Sequence, residues 1–447
     1  MAPRVAPRPT RDVGLFVFIE NTEATMLDIN FIRQHPGEVR AALALRRAEA
    51  DLDGVLALDR ERRETLQKTE SLKSERNRVS KEIGHMKAGA GREERIAEMR
   101  AVGDRISSLD NQVRTIEIQL RTLMLEIPNM PAPGTPPGES DENNVTVREV
   151  GTRPEFAFSP KPHWEIGMEL GIIDFERGVK LSGSRFYVLN DAGARLQRAL
   201  ISFMLAQHMR QGYKERYLPF MVKEVNFETA GQLPKFADNI YHDAEDDAWF
   251  VTTAEVPLTN LHRDEILTAD ELPRFYTAYT PCFRREKVAA GKDVRGIKRG
   301  HQFDKVEMYA FTQPEQSADA LQKMVADAEH TCAELGLPYR VRQLCSGDLG
   351  FGSSITYDIE AWASGCHEWL EVSSVSNCSD FQARRANARF RSNEDAKPEF
   401  MHTLNGSGLG LPRTLIAILE HYQQADGSVV IPDALRPWMP GEDVISA

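Results

Sequence analysis

Between Met99 and Ile127 apolar side chains recur every seven residues: Met99, Ile106, Val113, Leu120 and Ile127 make one row, and Val102, Leu109, Ile116 and Leu123 a second. Two such rows predict one buried seam along a helix, the heptad pattern of a coiled coil. An earlier tract is poorer, with Leu58, Thr65, Leu72, Val79 and Met86 in one row and Thr69, Arg76 and Ile83 in the other. GHMKAGAGREE separates the tracts. A glycine-bearing turn between helices of similar length predicts an antiparallel hairpin, since a parallel dimer would gain nothing from it. Ahead of it Ile29, Ile32, Val39, Ala42 and Leu43 recur at roughly helical spacing, with Pro36 near a start, which predicts a compact helical head.

After Ile127 the periodicity changes. PNMPAPGTPPG, Pro128 to Gly138, stops the helix and predicts an extended, semi-rigid spacer. Beyond it, β-type runs such as RFYVLN, AWFVTT, RFYTAYTPCF and VEMYAFT alternate with turns, and helices are predicted over Ala192 to Tyr213 and Glu315 to Leu335. Strands in runs, without strict strand–helix alternation, predict an α+β domain with an antiparallel sheet. The expected division is therefore a helical domain over 26–127, a linker over 128–138 and a second domain over 139–447. Residues 1–25 are Arg/Pro-rich and then polar, without periodicity, and read as a disordered extension; Asp12, Glu20 and Glu23 argue against a transit peptide.

Composition narrows the class. A chain of 447 residues holds two or three domains and needs no staples. Five cysteines, odd in number and without a CxxC pair, favour neither a disulfide framework nor a zinc ribbon, so a reducing, cytoplasmic setting is expected. GLFVFI, the longest apolar run near the start, is far too short to span a bilayer, so no membrane partner is expected. The net charge of −12 excludes wholesale basicity, yet between Arg62 and Lys87 eight basic residues face four acids. A locally basic helical arm in an acidic chain suits a polyanion, although a solvated helix face or an oligomerisation arm has a similar composition.

The densest chemistry lies in CFRREKVAAGKDVRGIKRGHQFDKVEM, Cys282 to Met308. On a strand, Arg284 and Glu286 would point to one face, offering a cation for a phosphate and an acceptor for an amino group. The loop adds Lys292, Arg295, Lys298 and Arg299, and on the returning strand Phe303 and Glu307 again share a face, a stacking surface and an ammonium acceptor. Taken singly, charged strand residues are ordinarily solvated and a strand Phe is ordinarily core.

Together they are more specific. FRRE at Phe283 to Glu286, followed by RxxxF at Arg299 to Phe303, resembles the second signature motif of class II aminoacyl-tRNA synthetases. With TTAEVPLTN from Thr252, EVSSVSNCSDFQARR from Glu371, LNGSGLGLPRTLIAILE from Leu404 and the helical hairpin, the chain from Met26 onward resembles bacterial-type seryl-tRNA synthetases. The resemblance implies a six- to eight-stranded antiparallel sheet flanked by helices, and a homodimer formed through the first motif, here the helix leading to GYKERYLPFMV with Pro219. It implies that the hairpin binds tRNA(Ser), with Lys73, Arg76, Arg78 and Lys81 as contacts, and leaves tRNA(Sec) open as a second partner. Relatives begin near the equivalent of MLD, so the true start is expected at Met26.

The implied reaction joins L-serine and ATP into seryl adenylate and pyrophosphate, then passes the seryl group to the tRNA 3′ ribose. By motif, Arg284 would hold the α-phosphate and serine carboxylate, and Arg413 the γ-phosphate and adenine. Glu286 would meet the adenine amino group and Phe303 would stack on the ring; Arg285, Val372 and Ser373 complete the expected ATP site. Mg²⁺ would be bound by Glu371 and Ser374, and serine by Thr253, Ala254, Glu255, Arg284, Glu307 and Ser407. His301 is expected to be structural, and no zinc is expected, because Cys345, Cys366, Cys378 and His367 are not spaced for one. Pro412 stands before Arg413 where the motif more often has Gly, a change tolerated just inside a helix start. Two other readings remain: a paralogue that loads a carrier protein, disfavoured by the retained arm, and an inactive RNA-binding scaffold, disfavoured by retention of Arg284, Glu286, Glu307, Glu371 and Arg413 together.

Overall fold

The computed structural model describes residues 28–287 and 295–447. The extension over 1–25, the expected start at Met26 and the loop residue Lys292 lie outside the described residues.

Four helices come first: α1 (Ile29–Gln34), α2 (Pro36–Leu45), α3 (Leu52–His85) and α4 (Ala90–Leu125). Asp28 and Asp51 cap α1 and α3 by accepting from the backbone N–H groups of Phe31 and Gly54. α3 and α4 form the antiparallel hairpin, joined by only Met86 to Gly89. Ile106, Val113, Ile116 and Leu120 are buried on α4, and Thr65, Thr69, Val79 and Ile83 on α3. The Thr69 hydroxyl donates to the Thr65 carbonyl, so the polar part of the seam is satisfied. Lys73 pairs with Asp110 at 3.0 Å and Arg62 with Glu117 at 2.9 Å across the two helices. The turn is shorter than GHMKAGAGREE suggested, because Gly89 serves as N-cap and Glu93 sits in the first turn of α4, where a carboxylate is favoured by the helix dipole.

The spacer is docked along its length. Asn129 donates from its backbone to Phe351 and from its side chain to the carbonyls of Gly352 and Cys378, and Ala132 N–H bonds Ser354. The extended spacer is thus stitched to the 345–354 loop. Arg46, at the end of α2, reaches the same loop and donates to the carbonyls of Leu349, Gly350 and Ser353. Burial pulls its guanidinium down to about 10, and three charge-assisted bonds offset that desolvation. The helical head is therefore fixed to the following domain by polar anchors.

The main sheet contains β1 (Val145–Val150), β2 (Lys214–Glu215), β3 (Arg274–Phe283), β4 (Gln302–Thr312), β5 (Tyr339–Gln343), β6 (Ile355–Ala363), β7 (Glu368–Asn377) and β8 (His402–Gly410). Their spatial order is β1-β5-β6-β7-β8-β4-β3-β2, antiparallel apart from the short β2–β3 pair. Three helices pack on one face: α5 (Asp191–Arg210), α6 (Ser317–Glu334) and α7 (Leu411–His421). Their buried Leu200, Met204, Met324, Ala328, Leu415 and Ile418 meet Val306, Met308, Ile359, Val375 and Leu404 of the strands. Because strand side chains alternate, Lys305 and Glu307 of β4 point to the opposite face.

Two bulges set the register on that face. On β7 Val372 is extra: Glu371 pairs with Glu360 and Ser374 with Asp358, so Glu371 and Ser374 share a face although they are three apart. On β8 Gly408 is extra, which puts Ser407 opposite Glu307. A Cβ at Gly408 would lie 2.1 Å from His208 Nε2 of α5, so only glycine fits there.

Candidate active site

The site occupies the sheet face away from α5–α7 and has three parts. The first is a pocket of charge. Glu307 is buried, pairs with Lys305 and accepts from the Thr253 hydroxyl at 3.1 Å. Glu255, at the start of the short helix Glu255–Thr259, receives neutral amide donors: Gln382 at 2.7 Å and Asn405 at 3.1 Å. Ala254 is fully buried beneath this turn. Burial, and then the neighbouring Glu307 carboxylate, push Glu255 up to about 7, while Lys305, Gln382 and Arg284 pull the other way. Among the described residues Glu255 accepts side-chain hydrogen bonds from neutral amides alone, which leaves it open to a ligand's cation.

The second part is the β3–β4 turn. The expectation that Arg284 and Glu286 lie on a strand is corrected here: β3 ends at Phe283, and Glu286 adopts φ +49°. The chain leaves the sheet after Arg284, whose N–H bonds the His301 carbonyl and whose own carbonyl is bonded to His301 Nδ1 at 3.0 Å. His301 thus bonds the Arg284 backbone on both sides. The Arg284 guanidinium donates to the Thr252 carbonyl at 3.2 Å and lies 5.0 Å from the Phe303 ring centroid. It borders the carboxylate pocket on one side and an aromatic surface on the other. Glu286 faces Arg299 at 3.6 Å. Arg285 does not converge with them: it donates to the Ile240 carbonyl and stacks on Tyr241.

The third part is acidic. Arg413 lies in the first turn of α7, with Pro412 at its start, and contacts both the backbone carbonyl of Glu371 at 2.7 Å and its carboxylate at 3.1 Å. Ser373 is buried and donates to the Ser407 carbonyl, while Val372 packs into the core beneath. Asp358 is buried next to Ser374, and one of its carboxylate oxygens has no hydrogen-bond partner among the described residues. Burial, followed by the Glu371 charge, pushes its carboxyl well above the usual range. Hard oxygen donors on one face with an orphaned carboxylate oxygen fit a divalent cation such as Mg²⁺.

Sequence reasoning named Glu255, Glu307, Arg284, Glu371, Ser374 and Arg413, which the fold brings to this one face, but it missed Lys305, Gln382, Asn405 and Asp358. Only Lys305 carried a signal, being two residues from Glu307 on a strand. On the arm, Lys81 is exposed, Arg76 half-buried, Lys73 paired with Asp110 and Arg78 with Glu82.

Comparison with known proteins agrees with this geometry. The family model for the seryl-tRNA synthetase N-terminal domain matches residues 26–131, and that for the tRNA synthetase class II core domain (G, H, P, S and T) matches 237–422. A serine–tRNA ligase of Roseiflexus sp. (strain RS-1) is 62% identical over 94% of this chain and 99% of its own, and one of Chloroflexus aurantiacus is 58% identical over 94% and 100%. The crystal structure of seryl-tRNA synthetase from Pyrococcus horikoshii complexed with ATP superposes with TM-score 0.88 at 37% identity, over 94% of this chain and 99% of that one. On these grounds the chain belongs to the seryl-tRNA synthetase family.

Proposed function

We propose that this protein activates L-serine with ATP to seryl adenylate and transfers the seryl group to tRNA(Ser), with tRNA(Sec) as a second acceptor to be tested. The observation that carries the reading is Glu255: a half-buried carboxylate held up to about 7, ringed by neutral donors beside an already paired Glu307. An amino acid's ammonium supplies the missing cation, and Thr253 and Ser407 offer hydroxyls for a small polar side chain.

Activation brings two anions together, the serine carboxylate and the α-phosphate, so positioning and charge neutralisation dominate. Arg284 stands between the carboxylate pocket and Phe303, where one planar guanidinium can bond both anions. Phe303 and Glu286 receive the adenine and Arg413 the terminal phosphates. Glu371 and Ser374, with Asp358 behind them, would hold Mg²⁺, which when bound neutralises phosphate charge. Attack is direct, so no protein nucleophile is needed. Zinc is not part of this reading.

The remaining assignments belong to the same reading. The division at 26–127, 128–138 and 139–447 separates a tRNA-binding arm from a catalytic domain, and Lys73, Arg76, Arg78 and Lys81 contact the tRNA. Apolar side chains left bare in the first motif, Tyr217 at 87% and Met221 at 53% exposure, support a homodimer. The cysteine pattern supports a reducing, cytoplasmic setting, and no helix among the described residues is long and apolar enough to cross a membrane. ATP-dependent charging of tRNA(Ser) and tRNA(Sec) transcripts with labelled serine tests the transfer step. Serine activation without charging of either would favour a carrier-loading relative.

A further inference from the structure

Where the basic loop between β3 and β4 returns to the sheet, Ile297 makes a buried polar contact. Ile297 is fully buried, and its N–H donates to Nε2 of His163 at 3.2 Å. Beside it Gly296 has φ +73°, and a Cβ there would lie 1.9 Å from the same nitrogen. The imidazole takes the place of a side chain at Gly296, so the ring and the loop backbone are fitted to each other.

The tautomer of His163 follows from its neighbours. Nε2 accepts from Ile297 and carries no proton, so Nδ1 carries it and donates to Glu420 at 2.9 Å. Glu420 is itself buried and accepts from the backbone of His163 at 2.9 Å, Gly365 at 2.9 Å and Cys366 at 3.0 Å, and from the Cys366 thiol at 3.1 Å. These donors fill the carboxylate and aim the ring. Ligand atoms of His163, Cys366 and Glu420 lie within 4.8 Å of one another, a spacing a metal ion could bridge. A metal on Nδ1 would require the proton to move to Nε2, where it would meet the Ile297 N–H; the hydrogen-bonded latch satisfies every group without one.

The latch touches both halves of the nucleotide site. Just past Ile297, Lys298 pairs with Glu368 at 2.8 Å and Arg299 faces Glu286. Glu420 lies in the last turn of α7, whose first turn carries Arg413. One rigid helix thus sets the loop's return point relative to Arg413. We propose that His163, aimed by Glu420, is a positioning residue for ATP: it fixes the returning end of the basic loop so that Arg299 and Glu286 present correctly to the nucleotide. The proposal rests on reading this face as an ATP site.

Two substitutions separate the latch from general stability. His163→Asn keeps a donor for Glu420 but loses the acceptor for Ile297, whereas His163→Gln places an amide oxygen near the Nε2 position. The measurements are KM for ATP and for serine in pyrophosphate exchange, ATP affinity by calorimetry, and amide hydrogen exchange over residues 295–301. The Asn variant is expected to raise KM and Kd for ATP about tenfold, the scale of one buried hydrogen bond, with KM for serine within about twofold. Its 295–301 amides should exchange faster, and the Gln variant should recover most of both effects. An Asn variant with wild-type ATP affinity and protection, equal rises in both KM values, or one zinc per purified chain would overturn the proposal. Absence of ATP binding by the wild-type protein would instead fell the ATP-site reading, while the exchange data would still test the latch.

Discussion

Lowering the pH should weaken serine binding through Glu255. With its carboxyl held up to about 7 in the free site, the ionised fraction falls steeply between pH 8 and pH 6. If only the ionised form accepts the substrate ammonium, the apparent KM is multiplied by 1 + 10^(7 − pH), about 1.1 at pH 8 and about 11 at pH 6, a tenfold rise. The assay is serine-dependent pyrophosphate exchange at saturating ATP, with Glu255→Gln as the reference. The variant's KM should be higher throughout and flat with pH, so that dividing by it removes other titrations. The same shift has a stability sign. A carboxyl raised above its ordinary range adds stability at acid pH that is lost as pH rises from that range through about 7. Glu255→Gln should therefore unfold at higher denaturant concentration than wild type at pH 8, by at most about 3 kcal/mol, and show no such gain near pH 4. A wild-type serine KM that stays flat between pH 6 and 8, or a Gln variant less stable at pH 8, would show that Glu255 does not hold the substrate ammonium as a raised carboxyl.

Three further outcomes are expected. Lys73→Glu with Arg76→Glu should reduce tRNA(Ser) charging at least about tenfold while leaving serine-dependent exchange within about twofold, and wild-type tRNA binding should weaken steeply with salt. Equal loss of both activities would remove the arm from tRNA recognition. Arg413→Ala should lower exchange by about 10²- to 10³-fold, and Arg413→Lys should recover only part, because a lysine cannot reproduce the planar fork that spans Glu371. Metal analysis of the purified protein should find no stoichiometric zinc, and exchange should stop on chelation and return with added Mg²⁺.

Much of the architecture was legible because it rests on short-range periodicity. The seven-residue rows placed Ile106, Val113 and Leu120 in the hairpin seam, and the long β-type runs around Cys282 and Val306 became β3 and β4. What stayed hidden depends on single backbone irregularities and on distant partners. Nothing in FRRE signals that its Glu adopts φ +49°, since alternation assumes an unbroken strand. The bulge at Val372 has no compositional mark, so the joint assignment of Glu371 and Ser374 to Mg²⁺ came from motif resemblance alone, and their shared face is visible only in the strand register. Gln382 and Asn405 reach Glu255 from more than 100 residues away, and Asp358 joins Ser374 across a strand pair. Pairing between strands, not local pattern, assembles those contacts. Polar anchoring was equally invisible: a Pro/Gly stretch reads as an extended, semi-rigid spacer, and nothing in it shows that Asn129 and Ala132 bond the 345–354 loop.

The central claim is that this face activates serine. The most direct measurement is pyrophosphate exchange into ATP by the purified protein, run separately with each amino acid. Exchange is expected with serine, with threonine excluded by size, alanine by its missing hydroxyl and cysteine as the nearest competitor. Exchange driven by a different amino acid, or by none, would contradict it.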